Sequence, residues 1–158
     1  MDRRLQNIRE IARSPKDFIL LIRIAFWLAV QPVLIRTMPL DKLMKLLTPA
    51  PRTRRSPEME KKAVRYTSFF LGKMTPADPE APKTNSTNSV VRRSCLKRSM
   101  VLYRFLRIAG VPVKIKLGVQ KNNGKLKGHC WLELGGKPYL QNEDMGYKTT
   151  YTYPPDSS

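Results

Sequence analysis

The change of rhythm at Gly110 constrains the fold more than any other feature of the chain. From Cys95 to Ala109 apolar side chains fall on nearly every face of a helix, as in Met100-Val101-Leu102-Tyr103 and Phe105-Leu106. Such a helix has to be covered on several sides, so it is central to the fold. Gly110 closes it as a C′ glycine, and Val111 to Val119 then alternates with the period of a strand. Asn122-Asn123-Gly124 is a turn; His129–Leu134 and Lys137–Gln141 form a hairpin around Gly135-Gly136. The tail after Tyr147 reads as an irregular or edge-strand end. Helices, one central helix and then an antiparallel sheet define an α+β class.

Upstream, Leu5, Ile8 and Ile11-Ala12 recur at helical spacing within residues 2–13. Ser14-Pro15-Lys16-Asp17 is a helix start, opening a helix from Pro15 to about Val30. The apolar run Phe18–Ile35 is long enough to cross a bilayer, but it contains Arg23 and is broken by Gln31-Pro32. A central Arg costs about 2.5–3.5 kcal/mol on insertion scales. An ordinary buried helix is therefore the first expectation, a helix contacting a membrane surface or partner the second, and a true span the last. Leu40–Leu47 is a short amphipathic helix closed by Pro49. The basic, proline-bearing segment Thr48–Ser56 links a helical N-terminal region, 1–56, to a core at 57–158 in one compact unit. Ser56-Pro57-Glu58 starts a helix with Met59, Ala63, Tyr66 and Phe70 on one face, ending near Gly72. Residues 75–89, with three prolines, form a surface loop ahead of the central helix.

Of the 158 residues, 30 are Lys or Arg and 12 Asp or Glu, a net charge of +18. Residues 1–56 and 89–120 carry +8 each, the second block without a single acid. Charge of this kind attracts an anionic peptide, a nucleic acid or an anionic membrane surface. No RNA- or DNA-binding motif is present, and the aromatics form no stacking platform. Two cysteines without a CxxC are no disulfide framework. The start Met1-Asp2-Arg3-Arg4-Leu5-Gln6 lacks a signal-peptide pattern, so a cytoplasmic, reducing setting is expected. Two Cys and one His fall short of a zinc ligand set; no metal or other cofactor is expected.

Cys95 heads the apolar stretch, and His129, the chain's one histidine, follows 34 positions later. A helix N-terminus, with Arg92 and Arg93 nearby, favours thiolate, and imidazole is the usual proton carrier. Strand alternation groups His129, Trp131 and Glu133 on one face and Cys130 with Leu132 and Leu134 on the other, which makes Cys130 a buried, inert thiol. From the residues alone two readings stand open. One is a cysteine enzyme; the other is a basic nucleic-acid- or membrane-binding protein in which Cys95 and His129 are structural.

The stretches Cys95–Leu106, Gly110-Val111-Pro112-Val113, Gly118-Val119 and His129-Cys130-Trp131-Leu132-Glu133 together resemble the lasso peptide biosynthesis B2 proteins. Met38-Pro39-Leu40 after an apolar helix resembles that family's small α region. The resemblance implies a papain- or transglutaminase-like core, in which a Cys-bearing helix packs on the sheet. It also implies a leader peptidase acting on a ribosomally made lasso precursor peptide. Its partners would be a small leader-recognition protein and an ATP-dependent lasso cyclase; a peripheral membrane contact is a further expectation. Cys95 would be the nucleophile, with its backbone N–H in the oxyanion hole, and His129 the general base and then acid. A transglutaminase-like acyl transferase or a pseudoenzyme is the alternative on the same fold. The family's third, acidic member has no clear counterpart here. A two-residue turn at Gly135-Gly136 sets His129 opposite Asn142, a three-residue turn sets it opposite Gln141, and Asp144 lies two residues beyond Asn142.

Overall fold

The structure, a computed structural model, describes residues 14–50, 54–71, 88–122, 125–140 and 146–155. Their helices are α1 (Pro15–Thr37), α2 (Leu40–Leu47), α3 (Pro57–Leu71) and α4 (Asn88–Ile108). The strands are β1 (Lys114–Asn122), β2 (Lys125–Leu134), β3 (Lys137–Tyr139) and β4 (Lys148–Tyr153). They form one antiparallel sheet in the order β3-β2-β1-β4. This is the α+β class, with a helical N-terminal region and a central helix against a small sheet.

The central place of α4 explains its apolar circumference. Met100, Tyr103 and Leu106 pack against α2 (Leu43, Met44, Leu47) and the inner sheet face (Ile115, Cys130, Leu132). Val101, Phe105 and Ile108 pack on another side against Leu20 and Ile24 of α1 and Ala63 and Tyr66 of α3. Gly110, at φ +82°, closes the helix where Val111 N–H reaches the Leu106 carbonyl at 2.9 Å. The Ser56 N–H donates to the Ala109 carbonyl at 2.8 Å, and the Met59 N–H to Ser56 Oγ at 3.4 Å. The start of α3 is thereby fastened to the end of α4. Two phenols tie the sheet edges to the helices: Tyr139 of β3 donates to Glu60 of α3, and Tyr151 of β4 donates to Asp41 of α2 at 3.0 Å.

Several expectations change. α1 runs through Pro32 to Thr37 rather than stopping near Val30. Pro32 removes one backbone donor, but Leu34 and Ile35 beyond it pack on the core, and Gln31 Nε2 donates to the Lys97 carbonyl at 3.2 Å. Nor is α1 an ordinary buried helix: Leu20, Ile24 and Gln31 are its buried residues, and an apolar face looks outward. β3 stops at Tyr139, short of Gln141, because Leu140 adopts φ +61° and turns the chain off the ladder. α4 begins at Asn88, not at Cys95. Of the two forms expected for the tail, the edge strand is the one present: β4 is a six-residue edge strand on β1. The helix expected at 2–13 and residues 75–87 of the expected loop lie outside the described residues.

Candidate active site

Cys95 is the eighth residue of α4, two turns inside it. The expectation that it sits at a helix N-terminus is corrected, with two consequences. The partial charge of a helix end fades within the first turn, so it does not reach this thiol. The Cys95 N–H is also within the i→i−4 ladder, so it is not a free oxyanion donor. The thiol is half-buried, and burial pushes its pKa above the ordinary cysteine value; the positive charge of Arg98 pulls the other way and only partly offsets this. At rest Cys95 is a protonated thiol rather than the thiolate its sequence position suggested. Arg98 is itself half-buried, and one of its guanidinium nitrogens donates to the Leu71 carbonyl at 3.0 Å.

One turn further along the same stripe of α4, the buried Ser99 Oγ donates to the Cys130 carbonyl at 3.0 Å. This bond sets the position of the Cys-bearing helix over β2, next to His129. Cys130 is 3% exposed, and burial pushes its thiol up to about 12, with the Cys95 sulfur adding to the effect. The inert reading of Cys130 agrees with that environment. The connection Ala109–Val113 leads from the end of α4 to the start of β1, which pairs Lys114 with Glu133 at the far end of β2. The N-terminal part of α4, including Cys95, therefore lies toward the beginning of β2. There the position on the Cys130 face is the exposed Gly128, where an added Cβ would meet nothing closer than the Gly118 carbonyl oxygen at 3.9 Å.

His129 sits on the other face of β2, among aromatic rings. It is stacked on Trp131 with centroids 6.1 Å apart and planes 14° apart, and the Tyr147 ring lies at 5.1 Å. Across the ladder from His129 is Gly118. A Cβ there would come within 2.8 Å of Trp131 Cη2 and 2.9 Å of the Lys148 carbonyl oxygen. Glycine at 118 thus makes the recess that the indole fills, and the indole in turn backs the imidazole. Lys116 and Glu133 form an ion pair at 2.6 Å on the same face. Cys95 and His129 are carried by adjoining elements: beside the thiol is the charge of Arg98, and beside the imidazole are the rings of Trp131 and Tyr147.

For the third position, Leu134 pairs with Lys137, so the turn is the two-residue form. That register, extended, leads to Asn142, but pairing ends at Leu132–Tyr139. Gln141, Asn142 and Asp144 lie outside the described residues. Two site residues, Tyr147 and Gly118, had no role assigned from the sequence. Nothing marks Tyr147 in advance; a glycine within a strand pattern is the signal that would have singled out Gly118. Among the described residues no cluster of three or more His, Cys, Asp or Glu could hold a metal ion.

No curated protein and no solved structure matches the chain. Residues 79–152, just under half of it, match the family model of the transglutaminase-like superfamily, a group whose members are typically cysteine-based enzymes. The match takes in Cys95, Gly118, His129, Trp131 and Tyr147, and it coincides with α4 and the sheet. Over this region the chain is similar to the transglutaminase-like superfamily, and its α+β architecture, a helix against a small antiparallel sheet, is consistent with such a core.

Proposed function

We propose that the protein is a cysteine peptidase that removes the leader from a lasso precursor peptide. The observation that carries this reading is the transglutaminase-like match across residues 79–152, which includes Cys95 and the chain's one histidine. Because burial holds the Cys95 thiol protonated, the nucleophile forms in the substrate complex, where catalytic hydrogen bonds tighten. There, once the imidazole is brought round to the α4 side of β2, Sγ attacks the scissile carbonyl carbon while its proton passes to His129. As the C–N bond breaks, the imidazolium returns that proton to the leaving amine. Water then attacks the thioester while passing a proton to His129, which returns it to the departing Cys95 sulfur, and the product acid gives up its remaining proton to solvent and leaves as the carboxylate. Trp131 and Tyr147, the rings beside the imidazole, act as positioning residues.

The basic blocks suit an anionic peptide, and recognition of the leader falls to a separate small leader-binding protein, with an ATP-dependent cyclase as the next enzyme. The test is intact-mass analysis of a candidate lasso precursor incubated with this protein and the leader-binding protein. One cleavage with water as acceptor, lost in Cys95→Ala and in His129→Ala and weakened by salt, is the expected result. An unchanged precursor, or cleavage that survives Cys95→Ala, overturns the reading. Transfer to an added amine in place of water assigns acyl transfer instead.

A further inference from the structure

α1 carries two opposed apolar faces. Leu20 and Ile24 enter the core against Phe105, while Phe18, Ile19, Ile22, Phe26 and Val33 are between 51% and 60% exposed. At 3.6 residues per turn these five fall within an arc of about 100°, opposite the buried Leu20, Ile24 and Gln31. The outward stripe is roughly 22 Å long. It offers no hydrogen-bonding group between Phe18 and Val33 except the exposed Arg23 at its margin, and the exposed Lys16 and Arg36 mark its two ends. Asp17, the one acid of α1, is turned away into an ion pair with Lys62 of α3 at 2.9 Å.

By length and composition α1 could cross a membrane, but its packing argues against a span. Its inner face is committed to α3 and α4, Gln31 is bonded to the Lys97 carbonyl, and Arg104 lies over the Trp27 ring at 4.2 Å. A helix held along one side by a folded domain cannot be surrounded by lipid; it can only lie along a surface. Charge decides which surface. Two copies meeting through this face would oppose like cations on chains of +18 each. An anionic bilayer complements both parts, taking large apolar side chains at the acyl boundary and cations among its phosphates.

We propose that α1 docks the protein in the plane of an anionic lipid surface, with the Phe18–Val33 ridge entering the acyl boundary and Lys16, Arg23 and Arg36 meeting the headgroups. The test is flotation of the full chain with vesicles of phosphatidylcholine alone or mixed with phosphatidylglycerol, at physiological and high salt. The protein should float with the anionic vesicles, far less with the neutral ones, and less at high salt. Ile22→Asp with Phe26→Asp should lower partitioning at least tenfold. Arg23→Gln and Arg36→Gln should each lower it roughly fivefold. All the replaced side chains are exposed, and an unchanged circular dichroism spectrum together with an unchanged Cys95 alkylation rate certifies the fold. Failure to float with anionic vesicles overturns the proposal. So does flotation that survives the double aspartate variant, or self-association in sedimentation that this variant abolishes, which makes a second copy the occupant.

Discussion

Gly118→Ala offers a direct test of how the sheet positions His129. The new methyl lands 2.8 Å from Trp131 Cη2, 2.9 Å from Cζ3 and 2.9 Å from the Lys148 carbonyl oxygen. Neither neighbour can give way cheaply. The indole is backed by the His129 ring, and Lys148 is held by the β1–β4 ladder through its pairing with Val119. Overpacking of this kind costs about 1–3 kcal/mol. For a chain of this size that lowers Tm by roughly 2–4 °C per kcal/mol, or about 2–12 °C in all. Gly128→Ala on the neighbouring strand is the control, since its methyl meets only an oxygen at 3.9 Å. It should leave stability within about 0.5 kcal/mol or raise it slightly. Urea unfolding followed by tryptophan fluorescence measures both. Gly118→Ala should also displace the indole from His129, so any peptidase activity should fall further than the lost folded fraction accounts for. Adding Trp131→Phe should restore part of the stability, because the smaller ring vacates the contact while the Lys148 carbonyl stays. Gly118→Ala and Gly128→Ala of equal stability would refute the recess.

Other consequences are open to measurement. Since Cys130 is pushed up to about 12 from an ordinary 9.0, unfolding releases its proton between those values. Stability is then unaffected below about pH 9 and falls by up to about 1.4 kcal/mol per pH unit toward 12. In Cys130→Ala, pH-dependent urea unfolding should show a slope smaller by about one proton; an unchanged slope contradicts the buried thiol. Iodoacetamide at pH 8 should label Cys95 well before Cys130, whose thiolate fraction there is about one in ten thousand. Arg98→Gln should slow Cys95 labelling further, because the charge that lowers its pKa is gone; faster labelling would show that Arg98 acts mainly by burying the thiol. Gly110→Ala forces a methyl to 2.6 Å from the Arg54 carbonyl oxygen at φ +82°, and should destabilise the protein by at least about 1 kcal/mol in thermal unfolding; a smaller loss shows that the Arg54–Arg55 backbone can move aside.

What the sequence disclosed and what it hid follow from range. Local signals were legible: Ser56-Pro57 starts α3, Gly110 ends α4, and Gly135-Gly136 turns β2 into β3. The alternation that buries Cys130 and Leu132 beside a more exposed His129 is also local, and it holds. The burial of α1 was not legible, because a helix apolar on two opposite faces has the same composition as one buried all round. Only the placement of α3 and α4 distinguishes the faces. Gly118 under the Trp131 ring depends on the β1–β2 register, a pairing across eleven positions that no short window contains. The upstream extension of α4 was hidden for a different reason: Asn88-Ser89 carries as good a start signal as Ser94 does, and the apolar rhythm begins only after Cys95.

That extension allows the effect of helix position on Cys95 to be separated from that of burial. Proline at 94 clashes with the carbonyl four residues earlier and lacks the N–H of the ladder, so Ser94→Pro should break α4 there. Pro is also well tolerated as the first residue of a helix, so α4 can restart at 94 with Cys95 in its first turn and its N–H released. A helix-end charge contributes about 0.3–1 kcal/mol, which raises the thiolate fraction by up to about fivefold below the pKa. A weaker base is also a poorer nucleophile, so the net gain in alkylation rate is roughly two- to threefold at most. The loss of helix should be confined to the two turns before Cys95, a small decrease in the far-UV circular dichroism signal. If Ser94→Pro leaves the alkylation pH profile of Cys95 unmoved while that decrease is seen, helix position is irrelevant to the thiol and burial alone sets it. If the profile shifts to lower pH, the continuity of α4 through residue 94 is part of what keeps Cys95 protonated until substrate arrives.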